Sequence, residues 1–516
     1  MTVFSDKVSD DSFPVDDRIS FLGKWIDEST DSLSRENLIE ALDAGRKFLT
    51  VCDNRRHLSI IHYFLANAHS VLRVIMAKNN HCGEIPWENK DLEQELIHLR
   101  ISFSILRDIP VSEVATDLPF RVATNLGNAL NEIGRFSEAV ELWDYALAHA
   151  PGFGMAQGNR GYGLFHYARI LYDSGHQLFF LLEARTALKN ALSQRLEGNA
   201  NKVFQRALDD IDSVVGTRTG ANLKEFSLGR SRLERNYRAW VTNNRLFVNP
   251  LNDLGNRSVV ATDVLTLPSI VTPLSEPPHL YGLFNQIKQE FVSARFLLFE
   301  GVAEEQKTVH FSDRNVLLYN TLDYPVYCLN IEKVKAAFLS AYSALDKIAF
   351  LLNQYFKLGI PERKVSFRNV WYATGGKSPI LRSEFMTSPN WPLRGLFWLS
   401  KDLYEEDTGF KESIEPDAQE LSTIRNHIAH KYFKVHDDVF WRDKHGAIDF
   451  FVDRLCLSVR RGELHRKTVK LFKLVRSALI YCALAIHFEE LSKKRNKSTA
   501  IIPPVFLDVI EDQWKK

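Results

Sequence analysis

A long run of amphipathic helices constrains this chain more than any single motif does. From Ser20 to about Leu196, apolar residues recur at helical spacing, strand-like alternation is almost absent, and the breaks fall at Gly, Pro and Asn. Helices that are apolar on one side only must pack on one another, which predicts stacked hairpins over residues 20–215 behind an acidic N-terminal tail, residues 1–19. A length of 516 residues leaves room for about two or three domains with real cores.

The clearest unit is "ATNLGNALNEIGRFSEAVELWDYALAHAPGFGMAQGNRGYGLF". Leu126, Gly127, Leu130, Ala139, Trp143, Ala146 and Pro151 fall where a tetratricopeptide repeat carries its packing residues. Gly127, Ala139 and Ala146 let two helices approach closely, Trp143 fills the groove between them, and Pro151 ends the second helix. Gly161 opens a second unit in register, which then departs at Asp173, where the pattern wants a small residue. "IIHYFLANAHSVLRVIM" reads as an earlier, diverged unit; an irregular helical bundle is the alternative for the whole region. Such arrays bind proteins or peptides, so the expected partner of this half is a protein or peptide ligand.

Residues 216–280 are rich in Gly, Asn, Pro, Ser and Thr and read as a connector, one long enough to be either ordered against both neighbours or functional. Long amphipathic helices resume in "LFNQIKQEFVSARFLLFEG", "IEKVKAAFLSAYSALDKIAFLLNQYF", "PLRGLFWLSKDLYE", "DAQELSTIRNHIAHKYFKV" and "RKTVKLFKLVRSALIYCALAIHFEELSKK". They predict a helical bundle over 281–495 and a tail over 496–516, so the expected fold class is all-α throughout.

Within the bundle, "RNHIAHKY" places Arg425, Asn426 and His430 on one helix, with Arg and His separated by four residues. With the flanking "HFSDRNVLLYNTLDYPVYCLNIEKVKAAFLSAYSALDKIAFLLNQYF", "VSFRNVWY", "GLFWLSKDLYE" and "SIEPDAQELSTIRNHIAHKY", the region from about 280 to 490 resembles the HEPN superfamily, here fused behind tetratricopeptide-like repeats. The resemblance implies a metal-independent endoribonuclease of the toxin or anti-phage kind, cutting RNA at a site shared by two subunits. Other HEPN proteins have lost catalysis and serve as binding domains, so a repeat-bearing adaptor is the rival reading. The Arg-x4-His spacing alone is weak, since a chain of this composition produces it about once by chance. Arg460 and His465 in "RRGELH" have it too, but at the mouth of the last helix and around Gly462.

Helical geometry predicts how the motif is displayed. Leu421, Ile424, Ile428 and Tyr432 share a narrow arc, the expected buried stripe. His430 points away from it with Asn426 one turn earlier, and Arg425 lies at the stripe's edge, about 140° from His430 at 100° per residue. A pair so arranged suits a site completed by a second subunit. In the chemistry the resemblance implies, the RNA 2′-hydroxyl attacks its own phosphate. A histidine takes or returns the proton, the forked guanidinium holds the phosphate, and Asn426 orients His430 or a phosphate oxygen. No metal or other cofactor is called for. His427 and Tyr432 are auxiliary candidates. Tyr432 completes a pattern resembling HEPN toxins that are silenced on that tyrosine, although its place in the stripe favours core packing. Asp346 and Lys347 interrupt an apolar helix, as a buried ion pair or with Asp346 as a partner for Arg425.

Arg466, Lys470 and Lys473 recur at one-turn spacing, with Lys467 and Arg476 nearby, as a candidate RNA-binding row. Any such basic surface is local, because 65 Lys plus Arg nearly cancel 64 Asp plus Glu. "YATGGKS" ends like a phosphate-binding loop, but Trp371 stands where the first glycine is required. Five scattered cysteines without a CxxC pair fit a reducing cytoplasm, and no secretory signal is visible. The most apolar stretch, "SALIYCALAIHF", is too short to span a bilayer, so no membrane partner is expected.

Overall fold

A computed structural model describes residues 3–515 apart from 11, 80–85, 110–116, 219–224, 274, 304–307, 374–379, 387, 405–415, 439–452, 454 and 497–504. The helical period becomes α1 (Val3–Ser9), α2 (Val15–Asp31), α3 (Arg35–Leu49), α4 (Arg55–Asn79) and α5 (Lys90–Asp108). They are followed by α6 (Leu118–Glu132), α7 (Phe136–His149), α8 (Gly154–Ile170), α9 (Ser174–Leu192) and α10 (Ala200–Val215). Helices α4 and α5, α6 and α7, and α8 and α9 pack as successive hairpins. The first residues are not a loose tail: Val8 of α1 is buried and its carbonyl accepts a hydrogen bond from the Arg18 guanidinium at 2.8 Å. Helix α4 is long and apolar enough by composition to cross a membrane, yet its Ile61, Leu65, Ala68 and Leu72 sit in the core formed with α1, α2 and α3.

The α6–α7 unit packs as its small residues predict. Trp143 is buried between Gly127 and Gly163, and a Cβ on either glycine would lie under 3 Å from its ring. The departure at Asp173 has a local cause: its carboxylate caps α9 by accepting the His176 N–H at 2.8 Å.

The connector is ordered against both neighbours. It carries α11 (Arg232–Asn243) and two short 3-10 turns, Pro250–Leu254 and Ser258–Val260. Asp253, fully buried, accepts Ser137 Oγ at 2.9 Å and Tyr167 OH at 3.1 Å from the repeats, and Arg476 of the last helix at 2.6 Å. Arg476 also donates to the carbonyls of Phe247 and Asn249. The carboxylate and the two carbonyls offset the high cost of burying this guanidinium, and together the contacts fix three segments at once.

The bundle follows with α12 (His279–Ala303), α13 (Leu329–Phe356), α14 (Ser383–Met386), α15 (Trp391–Tyr404), α16 (Pro416–His430) and α17 (Arg461–Asn496). The stretch 477–486 of α17 is buried throughout, which places the most apolar segment at the centre of the bundle. Two small pairs of strands interrupt the all-α pattern: β1 (Tyr372–Ala373) with β2 (Ile380–Leu381), antiparallel, and β3 (Tyr432–His436) with β4 (Cys456–Arg460), parallel.

Repeats and bundle share one hydrophobic core that runs from Ala66 to Ile486. Gly134, at φ +87°, and Gly395 meet so closely that a Cβ on Gly395 would sit 2.3 Å from the Gly134 carbonyl oxygen. Trp391 Nε1 donates to Asn131 O at 2.6 Å and Trp87 Nε1 to Ser388 O at 2.9 Å. Asp402, 1% exposed, takes a two-pronged bond from Arg100, both arms 2.9 Å, and a further one from Arg135. Lys401 beside it pairs with Glu93 at 2.5 Å.

Candidate functional site

Helix α16 is held from beneath and from the side. Leu421 and Ile424 are buried and Ile428 packs on the core. Glu420 pairs with Lys467 of α17, which also holds Glu463 at 2.9 Å. Three members of the expected stripe therefore behave as predicted.

Tyr432 does not. The helix ends at His430, and Tyr432 opens β3 as an exposed residue, 41% accessible, so the core-packing reading is corrected. The cause is a change of period: Tyr, Phe and Val favour a pleated strand, and β3 is enclosed by β4 on one edge and by Val326 N–H, which donates to Val435 O at 2.7 Å, on the other. Phe433, Lys434, Val435 and His436 are buried. Lys434 pairs with Asp323 at 2.6 Å and Asp453 at 3.2 Å.

Arg425 is half-buried and lines a cleft of about 380 Å³ with Asn426, Ser422, Tyr342 and Asp346 of α13, Tyr404 of α15 and Arg368. Its guanidinium donates to Asn426 Oδ1 at 2.9 Å and stands 5.8 Å from the centre of the Tyr342 ring. Asp346 accepts the Phe367 N–H at 2.9 Å. Burial pushes its carboxyl above the usual range, against the pull of that N–H and of Arg425. Burial likewise raises the phenols of Tyr342 and Tyr404, keeping both as neutral hydrogen-bond donors. Lys347 turns elsewhere, to Glu290, so it forms no mutual ion pair with Asp346, which instead lines the same cleft as Arg425.

His430 is not part of this cleft. It is exposed at the end of α16 and makes no side-chain hydrogen bond or ion pair among the described residues. Asn426 is exposed one turn before it, while His427 is half-buried and donates from Nδ1 to Thr423 O at 2.9 Å. In one chain, then, Arg425 and Asn426 come together with Asp346, and His430 stands apart. The second Arg-x4-His pair is split between β4, which ends at Arg460, and α17, where burial lowers the pKa of half-buried His465.

The basic row on α17 is largely engaged by the rest of the chain. Arg466 is exposed, but Lys473 pairs with Glu141 of α7 at 3.0 Å, Lys470 is half-buried beside it in a small cleft, and Lys467 and Arg476 are buried. Only Arg466 among them has the exposure an RNA contact needs. "YATGGKS" lies mostly outside the described residues. Tyr342, Tyr404 and Arg368 were not singled out in the sequence. Tyr342 precedes Asp346 by one helical turn, the one signal that pointed to it.

Residues 271–489 match the family described as LA2681-like HEPN. The match begins inside the region read as connector, so the last of those residues belong to the bundle. No curated protein and no solved structure matches. HEPN domains are often ribonucleases, which supports a nuclease function in that broad sense.

Proposed function

Taking as premise that residues 271–489 form an LA2681-like HEPN domain, we propose that the protein is a metal-independent endoribonuclease whose site joins Arg425, Asn426 and His430 across two copies of the chain. The single observation that carries this reading is the cleft beneath α16. It pairs a guanidinium with neutral phenols and a carboxylic side chain, on the helix whose far end carries an exposed imidazole outside the cleft. Arg425 holds a phosphate as charge builds on its oxygens, with Asn426 steering that guanidinium through the 2.9 Å bond. His430 of the other copy takes the 2′-hydroxyl proton or returns one to the leaving 5′-oxygen. Asp346 is a positioning residue for Arg425. The setting we propose is a cytoplasmic toxin or anti-phage effector, with a protein or peptide bound to the repeats as its trigger.

The dry, ion-paired junction between repeats and bundle supports control through this shared body. One observation favours the rival reading, a non-catalytic adaptor: within a single chain His430 lies outside the Arg425 cleft. The test is incubation of mixed RNA with the purified protein in excess EDTA, alone and with candidate repeat ligands, followed by end-group analysis. Fragments with cyclic-phosphate ends support the ribonuclease. Intact RNA under every condition, or fragments with 5′-phosphate ends, favours the adaptor or a different chemistry.

A further inference from the structure

Near the end of α17, repeats and bundle together build a groove of about 600 Å³. Its floor is apolar, with Tyr162 and Ile170 from α8, Trp391 from α15, and Phe488 and Leu491 from α17. Its unpaired charge is positive. Glu132 of α6, the one acid among the described lining residues, is neutralised by Arg73. Arg169 on the rim is exposed, lies over the Phe165 ring and makes no ion pair among the described residues. Burial lowers the pKa of His166 beside it, with Arg169 adding to the effect, so this imidazole brings little charge near neutral pH. An apolar trough with a guanidinium at its lip suits an apolar segment that carries one carboxylate.

The chain supplies such a segment itself, beyond the end of α17 at Asn496. Residues 505–510, "VFLDVI", form neither helix nor strand and turn their apolar side chains to water. Phe506 is 88% and Val509 87% exposed, with Val505, Leu507 and Ile510 exposed as well. Asp508 stands in their midst without an ion-pair partner among the described residues, while Asp512 is taken by Lys515 at 2.6 Å. Reach is sufficient: about nine peptide steps from Asn496 to Val505 span up to about 30 Å. The tail also ends on the groove's side of the chain. Burial lowers the pKa of Lys288 of α12, and the nearby Lys515 lowers it further. Lys288 holds the Leu265 carbonyl at 2.8 Å, and the next carbonyl, of Thr266, accepts the Tyr172 phenol. The Tyr172 ring lies 5.2 Å from that of His487, on the groove wall.

We propose that residues 505–510 are a strap that closes on this groove of its own chain, with Asp508 against Arg169 and the apolar side chains on Trp391, Phe488 and Leu491. A short tether holds the strap at an effective concentration of about millimolar, so a weak contact suffices to close it. A protein or peptide that binds the repeats at this groove must displace the strap. That regulatory consequence rests on the reading above in which such a ligand is the trigger; the docking itself does not.

Photo-crosslinking of the full chain at submicromolar concentration tests it, with p-benzoylphenylalanine in place of Phe506 and mass spectrometry of the joined peptides. The expected adducts lie within one chain, on α8, the start of α15 or residues 487–491 of α17. Arg169→Asp should cut their yield about fivefold, the worth of an exposed ion pair made repulsive, and adding Asp508→Arg should restore it. Both side chains are exposed, so neither change disturbs the fold. Adducts confined to other surfaces, adducts that join two chains, or a yield indifferent to the charge of Arg169 overturn the strap. The two readings separate: a strap seated in the groove of a protein that cleaves no RNA leaves the strap standing and removes the ribonuclease, whereas RNA cleavage without groove adducts does the opposite.

Discussion

Asp402→Asn should lower the stability of the whole chain rather than of the bundle alone. Asp402 lies on α15 at 1% exposure and neutralises Arg100 of α5 and Arg135 at the start of α7, themselves 6% and 1% exposed. The amide keeps the shape but removes the charge that faces both Arg100 and Arg135 in a buried interface. Breaking a buried pair of this kind costs about 3–5 kcal/mol. One core spans the later repeats, connector and bundle from Ala66 to Ile486, so these roughly 420 residues should unfold together. At about 2.1 cal/mol/K per residue the unfolding entropy is then about 0.9 kcal/mol/K, and the midpoint should fall by about 3–6 °C. Scanning calorimetry reads this directly. The expected trace is one transition in wild type and one, shifted, in the variant. Two resolved transitions of which only one moves would refute the shared-core reasoning and make the repeats a separately folding module.

Gly395→Ala should be at least as disruptive, because its Cβ would meet the Gly134 carbonyl, and limited proteolysis should release the repeats from the bundle. Buried His98 has its pKa lowered to about 2, mainly by desolvation. Below about pH 6.5 the unfolded chain gains a proton that the folded chain refuses, so stability should fall by up to about 1.4 kcal/mol per pH unit. Thermal midpoints at about pH 7 and about pH 5 should differ less in His98→Gln than in wild type. If RNA is cleaved, Asp346→Asn should slow it about tenfold, roughly 1.4 kcal/mol of guanidinium placement, with the thermal midpoint unchanged or raised because a strained buried carboxyl is removed. Arg466→Ala should weaken RNA binding in a filter assay and flatten its salt dependence, while Lys473→Ala, whose ammonium already serves Glu141, should change it little.

Helices were legible wherever apolar spacing is local, as in α13 or around Trp143, where the side chains that pack are within a turn or two of one another or one hairpin apart. What sequence reading missed depends on partners far along the chain. Tyr432 fits the stripe of α16 by spacing, and nothing nearby says that Val326 and Cys456–Arg460 claim the next residues as a strand. The connector looked irregular because its order comes from Asp253 and Arg476, whose partners lie in other segments. The basic row on α17 looked like a surface until Glu141 of α7 was placed against it. At the site, the wheel gave the divergence of Arg425 and His430 correctly, while the cleft under Arg425 required α13, α15 and α16 in place together.

The central claim is that the Arg425 and His430 of "RNHIAHKY" cleave RNA, and the most direct test is the initial rate on one RNA in excess EDTA for wild type, His430→Ala and His465→Ala. A fall of about 100-fold or more for His430→Ala, with His465→Ala close to wild type, is the predicted result. Equal rates for wild type and His430→Ala would contradict it.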